Sequence, residues 1–179
     1  FDIDTVSDQT NPCPHMLPAG SMFAEQMRTL GIGADTDVVI YDAKGLFSAP
    51  RAWWMFRVFG HRSVKVLNGG LPAWLAAGRS TTAAKSPVAV PAKPFSAQYC
   101  PEWVADKNDV AMHLAQDSAR VVDARSASRF AGAEAEPRPG VRPGHMPGAR
   151  NLHYAKVTTG EPAVLAPEGD LRALFDAVG

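Results

Sequence analysis

Short apolar runs alternate with longer amphipathic ones along this chain. Val38-Val39-Ile40-Tyr41, within 37–42, is a β-branched run bounded by turn residues, the pattern of a buried strand. Val64 to Leu67 repeats it and closes in the turn Asn68-Gly69-Gly70. Helical periods lie between and around these runs. Ser21 to Leu30 has Ser21 at the N-cap position and Gly31 just past its end; Pro50 to Phe59 carries proline in its first turn and Gly60 after it; Leu71 to Ala77 stops at Gly78. In the second half the pattern predicts a helix over Trp103 to Leu114, strands over Ala119 to Asp123 and Asn151 to Tyr154, and a final helix over Glu168 to Val178. Phe1 to Asp4 reads as the end of a short strand. Strands alternating with helices predict an α/β fold with parallel sheets covered by helices.

The two halves resemble each other. When the final helix is laid over the first, Leu171 falls on Phe23, Phe175 on Met27, Val178 on Leu30 and Gly179 on Gly31. Leu152 to Tyr154 likewise matches Phe1 to Ile3. Thr81 to Ala97, with Pro87, Pro91 and Pro94 among small residues and no apolar period, reads as a surface linker. Two tandem domains are therefore expected, over 1–80 and 101–179, with 81–100 joining them. After its helix, the first copy runs on through a strand into the loop Asp42 to Phe47 and another helix; the second copy stops at Gly179. A loop of that kind, at a strand's C-terminal end and feeding a helix N-terminus, is where α/β folds hold anions and nucleophiles. The expectation is that both ends of the chain are cut, and that the second copy's loop falls about ten residues beyond Gly179.

Composition narrows the function. With 46% apolar residues a folded core is expected, and with 18 basic against 18 acidic residues neither nucleic acid nor an anionic membrane is the expected partner. No apolar run approaches a membrane span. Two cysteines, Cys13 and Cys100, make no disulfide framework, so a reducing cytoplasm is the expected location. The histidines have no zinc-ligand spacing with either cysteine, so neither a metal nor any other cofactor is expected.

Several runs together resemble the tandem-domain rhodanese-like sulfurtransferases, particularly those acting on 3-mercaptopyruvate. In the first half these are Phe1-Asp2-Ile3-Asp4, Pro14-His15-Met16-Leu17-Pro18, Ser48-Ala49-Pro50-Arg51-Ala52-Trp53-Trp54 and Leu67-Asn68-Gly69-Gly70-Leu71. In the second they are Val122-Asp123-Ala124-Arg125, Arg129-Phe130, Glu136-Pro137-Arg138 and Gly144-His145-Met146-Pro147-Gly148-Ala149. The resemblance implies two rhodanese-like α/β domains, the second of catalytic type. It implies a cysteine thiolate that takes sulfur from a small-molecule donor, 3-mercaptopyruvate or thiosulfate, becomes a persulfide, and passes the sulfur to a thiol such as thioredoxin or a small thiol, or to cyanide. The family's Cys-Gly-Ser-Gly-Val-Thr loop does not occur in this sequence, so the 179 residues alone are expected to be inactive.

The resemblance also assigns residues. Arg129 and Arg138, nine apart, would bind the donor's carboxylate and keto oxygen, for which a planar, permanently charged guanidinium is suited. Their plainer alternative is a surface ion pair with Glu134 or Glu136. Asp4 and His15, eleven apart, would join a serine of the absent loop in a triad-like arrangement in which the carboxylate fixes the imidazole. Cys13 sits between Pro12 and Pro14, which disfavours a dyad with His15. His145, in a Pro-Gly turn, and Asp123 and Arg125, at a strand end, read as structural. Trp53 and Trp54, adjacent on one helix, cannot both face the core squarely. The loop Asp42 to Phe47 lacks a cysteine, so the first domain is expected to be silent. Two other functions remain open: a thiosulfate sulfurtransferase on the same fold, or a non-catalytic carboxylate-binding fragment.

Overall fold

The computed structural model describes residues 1–83 and 93–179. Within them the chain forms two compact units, Phe1–Val104 and Ala105–Gly179.

In the first unit α1 spans Gly20–Thr29, β1 Val38–Ile40, α2 Ala49–Val58, β2 Val64–Val66 and α3 Gly70–Ala76. Strands β1 and β2 pair in parallel, Val38 opposite Val64 and Ile40 opposite Val66. The parallel connection needs a crossover, which α2 supplies. Phe23 and Met27 on α1, and Met55, Phe56 and Val58 on α2, are fully or almost fully buried with Phe59. Phe23 stacks on Phe59 at 4.5 Å and meets Phe56 edge-on at 5.4 Å. Val38 and Ile40 pack onto this core, while the intervening Val39 and the following Tyr41 are exposed beside an apolar groove that Leu67, Leu71 and Trp74 also line. Gly70 shows why the Asn68-Gly69-Gly70 turn is tight: a Cβ there would lie 2.5 Å from the Gly45 carbonyl oxygen.

Several predicted boundaries shift for identifiable reasons. Phe1 to Asp4 is not a strand. The Asp2 carboxylate accepts from Asp4 N and Thr5 Oγ1, and Val6 N donates to the Asp2 carbonyl, so the segment closes into a turn. Helix α1 starts one residue before Ser21, with Ala19 at the N-cap and no side-chain cap. Part of the expected linker lies outside the described residues. Its later portion is tied to the first unit: the Phe95 ring packs edge-on to Phe23, Gln98 N donates to the Phe59 carbonyl, and Cys100 N donates to the Val58 carbonyl. The expected helix over Trp103 to Leu114 begins later. Pro101–Trp103 is a single 3₁₀ turn, and Trp103 packs edge-on against Trp53.

The second unit opens with α4, Lys107–Gln116. Its start is fixed by a capping box in which the Asp106 side chain accepts from Asn108 N and Asp109 N, and Asp109 reaches back to Asp106 N. Then come β3 Val122–Asp123, α5 Ala127–Phe130, β4 Arg150–Asn151, the hairpin pair β5 Thr158–Thr159 and β6 Val164–Leu165, and α6 Glu168–Asp176. Strands β3 and β4 are parallel and β5 and β6 antiparallel. The strand expected over Asn151 to Tyr154 is cut to β4 because Tyr154–Val157 turns into a 3₁₀ helix. In α6, Phe175 is 53% exposed where its counterpart in the repeat, Met27, is fully buried. The apolar pattern of the two helices is shared; the degree to which it is covered is not.

Candidate active site

Asp4 and His15 meet. His15 Nε2 lies 2.8 Å from Asp4 Oδ1, with the imidazole and carboxylate both solvent-accessible. An Nε2–H donated to Asp4 leaves Nδ1 as the acceptor, the device of a carboxylate fixing a tautomer. Two features mark the His15 backbone. Its backbone is left-handed, φ 61°, unusual for a residue with a side chain. Its carbonyl accepts from Arg51 Nη2 at 2.6 Å. Arg51 lies in the first turn of α2, with its guanidinium 4.6 Å from the Trp54 ring, and burial pulls its pKa down. Trp54 Nε1 donates to the Trp103 carbonyl and Trp53 Nε1 to the Val64 carbonyl, so both tryptophans are half-buried in this one unit.

The loop after β1, expected to be silent for want of a cysteine, is closed on itself. The Asp42 carboxylate fills the amide nest at the start of α2 itself: Oδ2 accepts from Phe47 N, Ser48 N and Ala49 N at 2.9–3.0 Å, and Oδ1 from Lys44 N at 2.8 Å. Burial acts to raise its pKa, but the four amides outweigh it and hold the carboxyl below its ordinary value. An anion-holding loop is built here, and the chain's own side chain occupies it.

In the second unit, Asp123 and Arg125 anchor the floor of the long loop. Arg125 Nε donates to both Asp123 oxygens at 3.0 Å, Nη2 donates to the Gly144 carbonyl at 2.8 Å, and Nη1 reaches Glu136 Oε1 at 2.6 Å. The Arg125 hydrogen bonds lower the Asp123 pKa against a smaller opposing effect of burial. Asn151 ties the same strand end through the Asp123 and Arg125 carbonyls. His145 stacks on Phe130, ring centroids 3.6 Å apart, and its Nδ1 donates to the Phe130 carbonyl, which fits a structural role.

Arg129 and Arg138 differ sharply. Arg129, on α5, gives Nη2 to Glu136 Oε2 and Nε to Glu136 Oε1. The Glu136 side chain is only 5% exposed, so Arg125 and Arg129 share one sequestered carboxylate; its hydrogen bond with Arg129 holds its pKa down and raises that of Arg129. The ion-pair alternative weighed for the loop arginines is thus realised for Arg129. Arg138 is exposed, and its guanidinium makes no hydrogen bond or ion pair among the described residues. Cys13 is exposed, and Cys100 is half-buried with Sγ 3.5 Å from the Gln98 carbonyl; among the described residues neither sulfur accepts from a backbone amide. Among the described residues no group of His, Cys, Asp or Glu is placed to hold a metal.

Residues 5–77 match the family described as rhodanese-like domain. The chain is similar to the 3-mercaptopyruvate sulfurtransferase of Rattus norvegicus, at 45% identity over 177 residues that cover 98% of this chain and 59% of that protein. It is similar to the enzyme of the same name from Escherichia coli (strain K12), at 43% identity, covering 98% of this chain and 61% of that protein. This chain belongs to the rhodanese-like sulfurtransferases. The fold agrees: the crystal structure of SseA from Escherichia coli, a 3-mercaptopyruvate sulfotransferase with the rhodanese fold, superposes with a TM-score of 0.85 and 39% identity, over all of this chain and 65% of that one. The chain therefore spans about three fifths of the length of the curated relatives it matches. No described helix is long and apolar enough to cross a membrane.

Two residues at the site were not singled out by spacing. Arg51 lies 36 positions from the His15 carbonyl it holds, and no local pattern announces such a contact. Asp42 had a signal: a carboxylate at a strand's C-terminal end, directly before a helix, is placed to accept from that helix's free amides.

Proposed function

We propose that the native protein transfers sulfur from 3-mercaptopyruvate, through a cysteine persulfide, to a thiol such as thioredoxin or a small thiol, or to cyanide. The observation that carries this reading is the arrangement around Glu136, which holds Arg129, whereas Arg138, two residues further along, is unpaired among the described residues. A free guanidinium nine residues from a fixed one suits a donor with both a carboxylate and a keto oxygen. The nucleophile in this reading is a thiolate outside these 179 residues, because among the described residues no backbone amide donates to the sulfur of Cys13 or Cys100. The thiolate attacks the donor sulfur, the carbon–sulfur bond breaks, and its electron pair passes to the pyruvate enolate, which is protonated on carbon. The cysteine sulfur is oxidised to a persulfide as that carbon is reduced. His15, held by Asp4, is the group suited to carry the proton.

A thiosulfate donor is the second reading, favoured by 39% identity to the thiosulfate sulfurtransferase of Cricetulus griseus, of which the chain covers 59%. Pyruvate release by the native protein, given 3-mercaptopyruvate and a thiol, tests the first. His15→Ala should lower it by about a hundredfold, within the usual range for a lost acid–base group. A rate equal to wild type would remove His15 from the reaction.

A further inference from the structure

We propose that Glu136 is a positioning residue that divides the labour of donor capture between the two loop arginines. This inference rests on the donor-site reading above. Both oxygens of the Glu136 carboxylate are engaged: Oε1 takes Arg125 Nη1 and Arg129 Nε, and Oε2 takes Arg129 Nη2. Arg125 is itself fixed by Asp123 and the Gly144 carbonyl, so Glu136 is braced against the β3 strand end. The Nε edge of Arg129 is used up by this carboxylate. Only its outer edge, carrying Nη1, remains for a ligand, and it points in one direction because the carboxylate behind it is sequestered and doubly bound.

Arg129 is therefore an oriented donor that any small anion entering the loop can meet, whether a carboxylate or a thiosulfate. Arg138 has no such brace. It can close on a ligand that carries a second group to bind, and a 2-oxo carboxylate does. Glu136 then supports both donor classes equally, whereas Arg138 supports the carboxylate donor. Charge alone predicts the opposite for Glu136: removing a negative group beside two arginines should tighten anion binding.

The experiment uses the native protein with pyruvate and thiosulfate as probes, followed through the Nε–H signals of Arg129 and Arg138 by NMR. Glu136→Gln should weaken both anions by about tenfold, the loss of one oriented, charge-assisted hydrogen bond, and broaden the Arg129 signal. Glu136→Asp keeps the charge and should recover part of both. Unchanged or tighter binding in a folded Glu136→Gln protein overturns the proposal. The wild-type spectra decide the matter if the variant does not fold. Arg129 must shift with both anions and Arg138 with pyruvate alone; binding of thiosulfate with an unmoved Arg129 overturns the positioning role by itself. If neither anion moves either arginine, the donor-site reading fails and takes this inference with it.

Discussion

Asp42→Asn tests whether the amide nest before α2 is filled by a charge. In the wild type the carboxylate accepts four backbone amides, three on Oδ2 and one on Oδ1. Asparagine has one acceptor oxygen. Its lowest-cost placement keeps that oxygen on the three amides of Phe47, Ser48 and Ala49 and turns its NH₂ toward Lys44 N, leaving two donors face to face. One unsatisfied amide costs on the order of 1–3 kcal/mol, and loss of a negative charge at a helix N-terminus costs about 0.3–1 kcal/mol more. The expected destabilisation is therefore about 2–3 kcal/mol at neutral pH. Urea unfolding of the two proteins, read by the fluorescence of Trp53 and Trp54 in the same unit, measures it. The pH dependence has a fixed sign. Because the folded pKa of Asp42 lies below 3.8, its contribution is complete above 3.8 and is lost as the pH falls through the folded value. The gap between wild type and variant should thus narrow on acidification below 3.8 and stay constant above about pH 5. A gap under about 1 kcal/mol, or one that does not change with pH, would refute the view that the carboxylate holds this loop.

Two further outcomes follow from the first unit. Phe23→Ala removes a ring that is fully buried and packs on Phe56, Phe59 and Phe95, so calorimetry or urea unfolding should show a loss of about 3–5 kcal/mol, while a loss under about 1 would mean the core collapses around the gap. The 179-residue polypeptide should transfer no sulfur from 3-mercaptopyruvate in a thiocyanate or pyruvate assay; turnover that disappears in Cys13→Ala would restore the Cys13–His15 dyad as the reactive pair.

What could be read from the sequence was what local chemistry decides. Gly31, Gly60 and Gly78 each end a helix in the left-handed region, so the stops of α1, α2 and α3 were visible beforehand. Phe1 to Asp4 misled because its alternation imitates a strand, while Asp2 uses its carboxylate to bend the chain. Trp103 misled because its apolar ring belongs to the Trp53 cluster and not to the following helix, whose start Asp106 and Asp109 dictate. At the site, the pairing of Asp4 with His15 came from a resemblance and is met by a 2.8 Å contact. The separation of Arg129 from Arg138 was beyond sequence reasoning. Both are arginines in one polar loop, and only the folded loop shows that Glu136 captures the first and leaves the second.

The central claim is that this loop recognises a donor through its carboxylate. Steady-state kinetics of Arg138→Ala in the native protein, run in parallel with 3-mercaptopyruvate and with thiosulfate, test it most directly. Loss of one charge-assisted contact made to the carboxylate should lower kcat/KM for 3-mercaptopyruvate by about ten- to a hundredfold and leave thiosulfate within about threefold, because thiosulfate has no carboxylate to hold. An equal loss with both donors, or no loss with either, would contradict the account and return Arg138 to the solvated surface.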